Sequence, residues 1–109
     1  MYEFIVSLLK GVWNLIRRIW VGIVAFTRHI VMFFRNPKIL NELSQNRDAI
    51  AVSIKQQLET GDYEVVNCLF DRETNNLINP ESDAEIISAD DLDYATESKF
   101  GNKDMIVLH

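Results

Sequence analysis

Five of the six charged positions in the first 35 residues, Glu3, Lys10, Arg17, Arg28 and Arg35, are spaced 7, 7, 11 and 7 apart. On a helix a seven-residue step falls about 20° short of two turns, and an eleven-residue step overshoots three turns by about 20°. The long step corrects the drift of the short ones, so a helix would carry all five charges on one line. Ser7, Asn14, Arg18, Gly22, Ala25 and His29 would flank that line, and apart from Gly11 and Thr27 the rest is Leu, Ile, Val, Met, Phe, Trp or Tyr. The pattern predicts one amphipathic helix over 1–35 with a narrow basic stripe. It would be about 52 Å long at about 1.5 Å per residue.

Asn36-Pro37 ends this first segment, 1–36. Proline disfavours a helical conformation in the residue before it, while Asn-Pro suits the cap and first position of a new helix. Ile39, Leu40, Leu43, Ile50, Ile54 and Leu58 then fall on one side of a second helix over 37–60, which Gly61 would close. The second segment is thus a stalk or packing helix, 37–61. The third, 62–109, reads as a small acidic α+β module. Tyr63–Phe70 is β-branched and aromatic, hence strand. Asp71 to Asn76 has turn chemistry, Leu77 and Ile78 a short return strand, and 84–88 a third strand. A short helix follows with Asp90 as its cap and Gly101 beyond its end, and 105–108 is a terminal strand. The predicted class is α+β: a long N-terminal amphipathic helix of membrane type, a second helix, and a small antiparallel or mixed sheet module with one short helix.

Charge sharpens the division. Residues 1–40 carry six Lys/Arg against one acid, and residues 41–109 carry five against fifteen. The net −5 of the chain therefore hides a basic end and an acidic end. A basic segment is drawn to anionic headgroups, at about 1 kcal/mol per nearby Lys or Arg. The stripe residues Lys10, Arg17, Arg18, Arg28 and Arg35 are the expected contacts to headgroups, or to the lumen of a pore. Tyr2, Trp13, Trp20, Phe26, Phe33 and Phe34 are the expected aromatics at a bilayer interface. The longest charge-free stretch is only 19–27, so a helix lying in the interface suits the sequence better than a lone span.

Candidate chemistry is sparse. Cys68, the one cysteine, lies in an apolar run and reads as a buried thiol, compatible with a reducing compartment such as the cytoplasm. Asp90, Asp91 and Asp93 lack the spacing of a calcium loop and read as helix capping. His29 and His109 have no ligand neighbours at metal spacing, and no glycine-rich loop is present. No cofactor, metal, nucleic-acid partner or enzymatic activity is expected. The functional expectation is a membrane-associated structural or adaptor protein that self-assembles through its helices and its acidic module, whose terminal strands leave open edges. One alternative is an oligomeric pore with a basic-lined lumen, and another is a soluble homo-oligomeric coat or ring subunit. A further protein partner would bind through 62–109.

Overall fold

The structure, a computed structural model, describes residues 1–108. The expected first helix is five elements instead of one. Helix α1 spans Tyr2–Val12, a tight turn occupies Trp13–Leu15, and the chain then extends as strand β1, Arg17–Val24. The run Arg-Arg-Ile-Trp-Val-Gly-Ile-Val explains the change: four of its eight residues are β-branched, one is Trp and one is Gly. Such residues favour a pleated surface over a helix interior, and a partner strand is available. A π-wound segment, Phe26–Val31, runs into the helical turn α2, Met32–Phe34.

Asn36 caps helix α3, Pro37–Gln45, accepting the Lys38 N–H at 2.9 Å, with Pro37 at the first helical position. The helix ends some fifteen residues before the expected stop, however. Asn46 turns extended, and its amide donates to Asp71 at 2.9 Å while its oxygen accepts the Asp48 N–H at 3.0 Å. Ala49–Gln57 is strand β2. Ile50, Ile54 and Leu58 are four apart, and four is twice the strand period of about 2 and close to the helical period of about 3.6: these positions share a face on a helix and on a strand alike. Val52, between them, belongs to the strand pattern. Gly61, with φ of 93°, serves the turn between β2 and strand β3, Tyr63–Asp71, and is not a helix end.

The turn after β3 forms as expected. The Asp71 carboxylate accepts the N–H groups of Glu73 and Thr74, and Asn75 takes the left-handed conformation with φ of 58°. Strand β4 is Asn76–Leu77, and the single turn α4 is Pro80–Asp83. Strand β5, Glu85–Leu92, runs four residues past the expected stop. In consequence Asp93, and not Asp90, caps the following helix α5, Tyr94–Phe100. Strand β6 is Met105–Leu108.

The strands form one mixed sheet of order β1-β5-β3-β2-β6, with β4 beside β3. Only the β1–β5 pair is parallel. Strands from all three of the expected segments therefore hydrogen-bond in a single sheet. Register sorts the faces. Ile54, Val66 and Ile86 stand side by side, as do Gln56, Glu64 and Ser88. On this face α1 lays Ile5 and Leu9 over Val52, Ile54, Val66, Cys68, Phe70 and Ile86. On the other, Ile30 and Phe100 pack with Val24, Val65, Ile87 and Leu92, and Ile39 of α3 packs on Ala51 and Leu69. Strand β3 is covered from both sides, which suits its nearly continuous apolar run.

Candidate functional site

Three features meet around β1. The first is a polar network on the face under α1. Arg18 forms an ion pair with Glu64 and donates to Ser88 Oγ at 2.6 Å, and Gln56 donates to the other Glu64 oxygen at 2.7 Å. The Arg18 guanidinium also lies 5.6 Å from the Trp20 ring and 5.9 Å from Trp13. The Glu64 side chain is nearly buried, and its charge is matched within the fold. Gln56 and Glu64 of this network, with Ile54 and Val66, line the sheet side of a cavity of ≈ 370 Å³ under α1, with Tyr2, Val6, Leu9 and Trp13 along the helix side. Burial, reinforced by Asp104 and Glu3, raises the Tyr2 phenol above its ordinary pKa.

The second feature is a cavity of ≈ 330 Å³ on the opposite face, where Arg17, Arg28, His29 and Met32 approach Asp83 and Glu85. Arg17 pairs with Glu85 at 3.1 Å and Lys38 with Asp83 at 2.8 Å. His29 Nδ1 accepts the Ala25 N–H at 2.8 Å, so the neutral ring carries its proton on Nε2. Asn67, fully buried, donates to the His29 carbonyl at 2.9 Å and to Glu85 at 3.2 Å. Burial, with Arg28, holds His29 below its ordinary pKa, partly offset by Glu85 and Asp93. A histidine kept neutral in the folded state takes up a proton more readily when unfolded. It therefore favours folding above the unfolded value of about 6.5 and opposes it as pH falls through that value. The denaturation midpoint should be lower at pH 5.5 than at pH 7.5. His29→Gln, whose amide oxygen can still accept from Ala25, should flatten that step; an unchanged step in the variant would assign it elsewhere.

The third feature is the outer edge of β1, which pairs with no strand among the described residues. Trp20 at its centre is 77% exposed, and Leu15 and Ile23 are more than half exposed. Met32 is exposed beside Arg17 and Arg28. The far end of the strand is held firmly. Asp93 accepts from the Phe26 N–H at 3.2 Å, from the Thr96 N–H at 2.8 Å and from the Thr96 hydroxyl at 2.5 Å, and its own N–H donates to the Val24 carbonyl at 2.9 Å. The Thr96 hydrogen bonds keep the Asp93 carboxyl below its ordinary pKa against the opposing effect of burial.

The five expected stripe cations are dispersed. Lys10 lies in the last turn of α1, Arg17 and Arg18 point to opposite faces of β1, Arg28 sits in the π-wound segment, and Arg35 follows α2. Nothing aligns them, because the one helix that would have done so is interrupted. Of the expected interface aromatics, Tyr2 and Trp13 pack on the α1-side core. Phe26, Phe33 and Phe34 pack on the other face. Trp20 alone stays largely exposed. Residues that the sequence did not single out are Glu64, Gln56 and Ser88, which meet Arg18, and Leu15, Ile23 and Met32, which flank the edge. Strand register is what brings the first three together, and no local pattern encodes it.

Cys68 is fully buried, and burial pushes its thiol up to about 12, which leaves it unreactive at neutral pH. His109 lies outside the described residues. Among the described residues no three His, Cys, Asp or Glu side chains gather to hold a metal ion, and no helix is long and apolar enough to cross a membrane. Comparison with protein-family models, curated proteins and solved structures gives no match.

Proposed function

We propose that the protein is a structural or adaptor module that acts by association, with the β1 edge and its apolar flanks as its working surface. The observation that carries this reading is Trp20, 77% exposed at the middle of an eight-residue strand whose outer edge pairs with no strand among the described residues. Natural edge strands are usually blunted by Pro, by Lys or by shortness. Residues 19–24 of β1 have none of these guards. Most of the large exposed apolar side chains also come from the first 35 residues: Met1, Phe4, Leu15, Trp20, Ile23 and Met32. Large exposed apolar side chains on an open strand edge, as Trp20 and Ile23 are on β1, mark interaction sites.

A membrane surface is the second reading, favoured by Arg17 and Arg28 beside Met32 and by the basic excess of residues 1–40. Here the folded protein would dock on anionic headgroups through side chains and would not insert a long helix. The pore reading draws no support from the arrangement, since it needed all five cations on one helix. The purified chain is expected to self-associate in detergent-free buffer or to float with anionic liposomes, and Trp20→Lys is expected to weaken whichever occurs. A monomer that remains in the aqueous fraction would end the reading.

A further inference from the structure

We infer that the β1 edge takes the β1 edge of a second copy of this chain, antiparallel across a twofold axis that runs perpendicular to the sheet midway between the two Trp20 residues. The inference rests on the reading of this edge as the working surface and adds its partner and register.

The backbone sets the first requirement. A row of unpaired N–H and C=O groups eight residues long is satisfied most completely by another extended strand. The charges set the second. The cations at the start of the strand are already matched inside the fold, Arg17 by Glu85 and Arg18 by Glu64. Two copies of the edge can therefore approach without unmatched like charges meeting. The net −5 of each chain is screened beyond about 8 Å at physiological salt.

The side chains set the register. Two sheets joined by a perpendicular twofold axis share their faces, and residues opposite each other must point the same way. With the axis at Trp20, the two Trp20 rings meet on the α1 side. Ile19 faces Val21 of the second copy on the other side, and Arg18 faces Gly22, which leaves room for the guanidinium that lies over Trp20. Each Trp covers about 150–200 Å² of the about 800 Å² that a stable interface removes from each partner. Leu15, Ile23 and Met32, all exposed beside the edge, supply further area. Because Trp20 provides so large a share at the centre, it is the expected energetic anchor.

The experiment measures dimer dissociation by light scattering in buffer, with cysteine cross-linking and liposome flotation on the same preparations. The expected result is a dimer that Trp20→Lys weakens at least about 30-fold with an unchanged circular dichroism spectrum. A mixture of Ile19→Cys with Val21→Cys chains should then cross-link faster than either variant alone, with buried Cys68 inert. A dimer indifferent to Trp20→Lys, or without the cross-linking preference, would overturn this interface while leaving an associating module. A monomer that floats with anionic liposomes would overturn the second copy in favour of lipid. A monomer that does neither would overturn both this inference and the function proposed above.

Discussion

Arg18→Met should lower the unfolding free energy by about 3 kcal/mol, measured by urea denaturation. Met keeps most of the side-chain volume and can still lie against Trp13 and Trp20, so little packing is lost. What changes is the position of Glu64, only 6% exposed, which keeps Gln56 but loses its counter-charge. Removing one partner of a buried pair strands the other charge and costs about 3–5 kcal/mol; the partial exposure of Arg18 places this case at the lower end. Replacing both members, as Arg18→Met with Glu64→Met, should recover most of the loss, because an apolar pair of similar volume strands no charge. A single variant within about 0.5 kcal/mol of the parent would show that the network contributes little.

Phe100→Ala should be more costly still, about 4 kcal/mol. Phe100 is 1% exposed and packs with Val24, Ile30, Val65, Ile87 and Leu92. Helix α5 has seven residues, too few to hold itself without this anchor. The loss would reach β1, because Asp93 at the start of α5 is bonded to Phe26 and Val24. A chain of this length is stabilised by only about 5–15 kcal/mol in total. The melting temperature should therefore fall by about 15 °C or more, with amide-exchange protection lost first around Val24 and α5. A fall of a few degrees would mean that the cluster closes over the gap.

The three carboxylates at the end of β5, Asp90, Asp91 and Asp93, illustrate how a correct local reading can be displaced. Asp, short helix and Gly101 were all legible, but the cap moved from Asp90 to Asp93 because β5 continues along β1 as far as Leu92. The Asp71 to Asn76 turn was fully legible, since side-chain hydrogen bonds within six residues determine it. The candidate site was legible in Trp20, Arg17, Arg18, Arg28, Tyr2 and Trp13, which were marked for a different geometry.

The sequence by itself determined the class, the apolar strand β3, the Asn36-Pro37 helix start, the turn chemistry, the buried thiol of Cys68 and the excess of apolar surface in the first 35 residues. Each of these depends on neighbours a few positions away. Only the tertiary structure decided that 17–24 and 49–57 are strands. A run of β-branched residues with charges at helical spacing satisfies both periods, and the tie is broken by backbone hydrogen bonds to β5 and β3, whose positions no local pattern contains. The same pairing brought Glu64 and Ser88 to Arg18, and it left the far side of β1 without a partner.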